Sequence, residues 1–214
     1  MLSFCNRTNM SSSEALEKNN LYQAARDGDL QTIEQILKQH ENVNQQDDLD
    51  NTPLFYSVHT SQKAAALLLI EMGADIDVQN HRGDSPLHES VNCGQEKMVQ
   101  FFIEQGADIE LKNCMHLTPL GIAVEKDYKN IAKFLVEAGS NVNVRVGSSN
   151  TSDSLLHRAV SRVNLNRSMK MVELLLSNGA DVQGRSGVFG YTPLYYARDY
   201  SDFAPSWLAN FGLS

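Results

Sequence analysis

The stretch TPLFYSV at residues 52–58 returns, altered but recognisable, as SPLHESV at 85–91, TPLGIAV at 118–124, SLLHRAV at 154–160 and TPLYYAR at 192–198. A hydroxyl residue opens each copy, at Thr52, Ser85, Thr118, Ser154 and Thr192, and successive copies stand 33, 33, 36 and 38 residues apart. A second marker, Gly followed by a small residue, keeps step at Gly73, Gly106, Gly139 and Gly179. Each Gly lies 21 residues after its hydroxyl except the last, which lies 25 after, so the fifth unit carries four extra residues. A fixed period of this length decides the architecture before composition does, because each unit is one supersecondary element that buries its apolar face only against its neighbours.

Within a unit, Thr or Ser followed by Pro reads as an N-cap with Pro at the first helical position, where its missing N–H costs nothing. The small residues Ser57, Ser90, Ala123, Ala159 and Ala197, five after the hydroxyl, let inner helices approach closely. Leu69, Phe102, Leu135 and Leu175 mark a second, outer helix that ends at the Gly, a residue suited to the left-handed position after a helix. Beyond it Ile76, Ile109, Val142 and Val182 punctuate a polar stretch rich in Asp and Asn, the composition of a turn-forming finger.

Outward from these copies the frame continues in both directions. One period before Thr52 lies Asn19, and LYQAARDGDLQTIEQILKQHENVN fits with Ala24, Ile36 and Val43 in the three columns and His40 in place of the Gly. After Thr192 the chain runs out too early for another finger, as in a cap. The insertions RVGSSNTSD and VNLNRS lengthen the finger before unit five and the link between its two helices. Loops absorb such additions at little entropic cost.

These residues carry a resemblance: the chain is similar to ankyrin-repeat proteins, whose T-P-L-H-x-A signature and 33-residue period it follows from about residue 14 onward. The resemblance implies an all-α ankyrin-repeat solenoid of about six helix-turn-helix units with short finger turns. Repeats are expected near 19–51, 52–84, 85–117, 118–153 and 154–191, with a cap at 192–214 and a polar tail at 1–13. The motif's His stands only at His88 and His157; Phe55, Gly121 and Tyr195 replace it elsewhere.

Composition agrees with a packed protein, since 42% of the 214 residues are hydrophobic. The net charge of −8 and the lack of any basic run argue against nucleic acid or an anionic membrane surface. No apolar run approaches the roughly 18 residues of a membrane span, and the N-terminal stretch lacks the apolar core of a secretory signal. Cytosolic location is expected, with a translocated effector as the alternative. Three cysteines, Cys5, Cys93 and Cys114, match no disulfide or zinc spacing and read as reduced thiols. The Asn-x-Ser/Thr triplets at Asn6, Asn9, Asn150 and Asn166 read as chance in an Asn- and Ser-rich chain.

No phosphate loop and no HExxH helix is present, and Cys114 with His116 lacks a third, orienting group. We therefore expect no enzyme, cofactor or metal site, but a monomeric module that binds a protein partner. Recognition in the family uses finger residues just before the hydroxyl and inner-helix residues seven and eight after it. Carried over, this selects Asp48, Leu49 and Asn51 with His59 and Thr60; His81, Arg82 and Asp84 with Asn92 and Cys93; Cys114, Met115 and Leu117 with Glu125 and Lys126; and Val188, Phe189 and Tyr191 with Asp199 and Tyr200. Met115 and Leu117 are candidate apolar anchors. The aromatics gathered from Phe189 to Phe211 divide between binding (Phe189, Tyr191) and sealing the cap (Trp207, Phe211).

Overall fold

The structure is a computed structural model, and it describes residues 21–147, 152–163, 169–187 and 190–199. The tail 1–13, much of both insertions, Val188, Phe189, Tyr200, Trp207, Phe211 and the side chains of Ala197 and Asp199 lie outside the described residues. Packing divides the chain into two compact units, Met1–Ile76 and Asp77–Ser214.

In the first unit α1 (residues 21–27) is followed by α2 (Leu30–Lys38), α3 (Pro53–His59) and α4 (Lys63–Glu71). The Asp29 carboxylate starts α2 by accepting the Thr32 backbone N–H at 3.1 Å, which satisfies one of the amides a helix start leaves unpaired. Helix α4 packs against both α2 and α3, and Leu21, Ala25, Ile33, Leu54, Phe55, Val58 and Leu69 are fully buried.

The second unit repeats one plan. Inner helices α5 (Pro86–Asn92), α7 (Pro119–Lys126) and α9 (Leu155–Val163) each pair with an outer helix, α6 (Glu96–Glu104), α8 (Lys129–Glu137) and α10 (Lys170–Ser177). The inner row α5, α7, α9 and α11 (Pro193–Asp199) packs in sequence, as does the outer row α6, α8, α10. Before α9, β1 (Arg145–Val146) pairs antiparallel with β2 (Asp153–Ser154), with Arg145 opposite Ser154. The lengthened finger thus closes as a short ladder and returns the chain to the repeat frame.

The columns read from sequence have the expected places. Ser57, Ser90 and Ala123 are fully buried and Ala159 nearly so. The two serines are affordable there because Ser57 and Ser90 donate their hydroxyls to the Leu54 and Leu87 carbonyls, at 2.6 and 2.7 Å. Leu69, Phe102, Leu135 and Leu175 are wholly buried on the outer helices. Gly73, Gly106, Gly139 and Gly179 have φ between +82° and +99°, and His40 takes the same turn at +67° in the first repeat.

The caps divide by what stands three residues on. Ser85 forms a capping box with His88, and Thr118 Oγ1 accepts the Gly121 N–H at 3.2 Å. Thr52 has the same extended backbone but makes no side-chain cap bond, and its buried hydroxyl is without a partner. Three units lack the motif's His at that position. The hydroxyl bond is missing where Phe55 replaces it and survives where Gly121 does.

Candidate functional site

Three fingers are tight turns held from inside by one polar side chain five residues before the hydroxyl. Asp47 Oδ1 accepts the Leu49 and Asn51 N–H groups at 2.7 and 2.9 Å. Asn80 Oδ1 does the same for Arg82 and Asp84 at 3.0 and 3.1 Å, and Asn113 Oδ1 for Met115 and Leu117, both at 3.0 Å. Such Asx turns satisfy backbone amides that no ladder reaches. The residue two before the hydroxyl turns through positive φ each time, at Asp50, Gly83, His116 and Gly190.

Two fingers are also tied to the helix behind them by a buried imidazole. His88 Nδ1 accepts the Ser85 backbone N–H at 3.2 Å and lies 2.9 Å from Ser85 Oγ. A backbone amide only donates, so the ring proton sits on Nε2 and is donated to the Leu117 carbonyl at 3.1 Å. That carbonyl also accepts the Asn113 N–H at 3.0 Å, the bond that closes the finger. His157 repeats the arrangement: Nδ1 accepts from Ser154 N–H at 3.3 Å, and Nε2 donates to the Tyr191 carbonyl at 2.9 Å. That carbonyl closes the last finger through the Ser186 N–H at 2.7 Å.

Burial pushes both imidazoles below the ordinary histidine value. For His88 the bond to Leu117 is the first of several weaker influences in the other direction, and for His157 the bond to Tyr191 is. Neither ring has a nitrogen left to serve as a base. In the first unit a different tie holds the finger: the Tyr56 hydroxyl donates to Asp47 Oδ2 at 2.8 Å, with the Tyr22 ring 5.1 Å from that of Tyr56. Burial raises the Asp47 carboxyl, but hydrogen bonds from Asn51, Tyr56 and Leu49 outweigh it and hold the group below the usual carboxylate range.

Of the finger residues selected from sequence, Asp48, Leu49, His81, Arg82, Cys114, Met115 and Tyr191 are exposed, and Asn51 and Leu117 are half-buried. Asp84 is buried, and its carboxylate accepts the Asn113 side-chain N–H at 2.8 Å, so it links two fingers. Among the inner-helix positions His59, Thr60, Cys93 and Lys126 are exposed, and Asn92 and Glu125 half-buried. The two proposed apolar anchors separate. Met115 is 65% exposed, whereas the Leu117 side chain lies 3.3 Å from where a Cβ on Gly121 would sit, with Val146 at 3.4 Å. Leu117 thus fills the space that Gly121 leaves open on α7.

The last finger carries a second apolar feature. Tyr191 and Tyr195 stack with ring centroids 4.0 Å apart and planes within 14°, and both rings are exposed. Charge around these features is already engaged: Arg82 reaches Glu89 and Asp84, both at 3.4 Å, and Arg158 reaches Glu125 at 3.5 Å and Asp153 at 3.6 Å. The Cys93 thiol is pushed up by burial and by Glu89, whose carboxylate accepts its S–H at 3.6 Å, which makes it a poor nucleophile.

Models of the family described as ankyrin repeats, in three copies, match residues 2–80, 21–113 and 65–146, and that of the single ankyrin repeat matches residues 152–186. The chain belongs to the ankyrin-repeat family. Its structure is similar to the crystal structure of an ankyrin repeat domain from Acinetobacter baumannii AYE, with a TM-score of 0.75 and 30% sequence identity. The likeness covers 84% of this chain and 90% of that one. No curated protein matches the chain in sequence.

Ankyrin membership accounts for the helix pairs and the capping histidines, but one further column escaped the sequence reading. Asn44, Asp77, Glu110 and Asn143 recur in the ankyrin frame. Each accepts a backbone N–H from the next repeat, at Asp75, Asp108, Asn141 and Asp181, over 2.7–2.9 Å. The two asparagines also donate to the Gly73 and Gly179 carbonyls, which a carboxylate cannot do. Among the described residues, no helix of this ankyrin chain is long and apolar enough to cross a membrane.

Proposed function

We propose that this ankyrin-repeat chain is a non-catalytic recognition module that holds a protein partner on its finger tips and the adjoining ends of its inner helices, and that it works in the cytosol. The observation that carries the reading is Met115. It is a large apolar side chain, 65% exposed, on a turn fixed from within by Asn113 and from behind by His88. An exposed apolar side chain on a rigid element loses little entropy on docking, which is the character of an interface hot spot. The stack of Tyr191, on the last finger, with Tyr195, in the first turn of α11, has the same character. Against catalysis stands the engagement of both buried histidines in backbone bonds.

The test sets the two faces against each other. Extract is passed over the wild-type chain, over the double variant Met115→Ala with Tyr191→Ala, and over Glu173→Ala on the exposed side of α10. A partner kept by wild type and by Glu173→Ala, and bound at least about 2 kcal/mol more weakly by the double variant, supports the reading. A partner that ignores both finger changes and depends on Glu173 overturns it.

A further inference from the structure

We propose that His88 and His157 are proton-operated pins on the two fingers that carry the exposed anchors, so that mild acid loosens those fingers and releases what they hold. The release half rests on the finger-binding reading above; the pin half does not.

His88 and His157 are buried, while His40, His59, His81 and His116 are exposed. Each buried ring joins a helix N-terminus to the carbonyl that closes a finger: Leu117 in the finger bearing Met115, and Tyr191 in the finger bearing the tyrosine stack. Each ring uses both nitrogens, one as acceptor and one as donor. A proton arriving at Nδ1 converts the acceptor into a donor; the Ser85 or Ser154 hydroxyl oxygen, at 2.9 and 2.7 Å, can accept it, but the backbone N–H of the same serine loses its acceptor and faces a donor, and neither amide can turn away without unwinding the start of its helix.

The charges around the rings are few. Asp84 and Asp108 bear on His88, and from the finger leading into α7 its neighbour is the neutral Leu117 carbonyl. Asp153 in β2, Arg145 in β1 and Asp181 after α10 bear on His157, and the Tyr196 ring of α11 stands perpendicular to it with ring centroids 5.3 Å apart. A cation is therefore accommodated most readily when the finger lifts and water reaches the ring.

The sign follows from linkage. A neutral buried His contributes its stability above the ordinary histidine value of about 6.5, and that contribution is lost as the pH falls. With the ring titrating normally in the open finger and only at lower pH in the closed one, the open fraction grows as the pH falls from 7.5 to 5.5, by at most about tenfold.

Hydrogen exchange of the partner-free chain, corrected for the intrinsic effect of pH, reads this directly. The Asn113, His116, Ser186 and Gly190 amides, which close the two pinned fingers, should lose protection over that range, by up to about tenfold. The Asp47 and Asp50 amides, in a finger held by Tyr56 and no imidazole, should not change. His88→Gln should remove the response of its own finger only, and His157→Gln likewise. Should a variant not fold, imidazole NMR of the wild type decides: a ring midpoint at or above 6.5, or proton uptake with finger protection intact, overturns the pins. Loosened fingers with unchanged affinity for a partner captured as above would overturn the release half, and the exchange data would still separate that failure from a failure of the pins.

Discussion

Gly83 and Gly106 both turn through positive φ, at +70° and +82°, yet the structure makes them unequal. A Cβ on Gly106 would meet nothing within 4 Å, so Gly106→Ala pays only for the left-handed backbone, about 1 kcal/mol. A Cβ on Gly83 would stand 2.7 Å from the Cys114 backbone nitrogen and 3.1 Å from Asn113 carbons, on backbone that has no rotamer to yield. Relief requires the two fingers to part, which breaks the Cys114 N–H bond to the Arg82 carbonyl at 3.0 Å. Adding about 1 kcal/mol for that bond and about 1 for forced displacement of packed backbone brings Gly83→Ala to about 3 kcal/mol. That Asp50 and His116 hold the equivalent turn without glycine shows that φ alone is affordable there. The assay is urea denaturation of both variants followed by helical circular dichroism, with exchange of the Cys114 amide as the local readout. Since repeat arrays can unfold in parts, the order of the two midpoints is the quantity to compare. Equal midpoints, or a Gly83→Ala chain as stable as Gly106→Ala, would refute the close approach of the two fingers.

Three other substitutions test the columns. Thr52→Val should be neutral or stabilising in urea, because the hydroxyl it removes is buried and unpaired; Thr118→Val, which removes a working cap, should cost about 1 kcal/mol. Asp77→Asn should keep the bond to the Asp108 N–H and gain a donor like that of Asn44 and Asn143, raising stability by about 0.5 kcal/mol, read as a higher urea midpoint.

The frame was legible because its markers are few residue types at near-constant spacing: Thr or Ser before the inner helix and, from the second repeat on, Gly after the outer one. The columns that escaped are defined by a function shared among residue types. Asp47, Asn80 and Asn113 all offer one oxygen to two amides, and Asn44, Asp77, Glu110 and Asn143 all offer one to the next repeat. A search for recurring acceptors, instead of recurring letters, finds both. The division between Met115 and Leu117 was not legible at all. Both are apolar and two residues apart, and what separates them is the missing side chain at Gly121, which leaves room for Leu117 alone. Asp84 was misleading for a similar reason: its partner Asn113 lies a full repeat away.

One position behaves unlike every other. Three residues before the hydroxyl stand Leu49, Arg82 and Met115, and each projects outward, with Leu49 52% and Met115 65% exposed and the Arg82 side chain 58% exposed. The backbone around them is nearly the same, since the Asx oxygen, the positive-φ turn and the closing bond recur in all three fingers. A position whose geometry is conserved from unit to unit while its chemistry changes from apolar to cationic and back is not being set by the fold, because a fold requirement would act alike on all three. Under the finger-binding proposal, a partner surface that differs from finger to finger would set it. On that proposal specificity resides in this position, and exchanging Arg82 and Met115 should redirect binding while leaving the helical fold as it is.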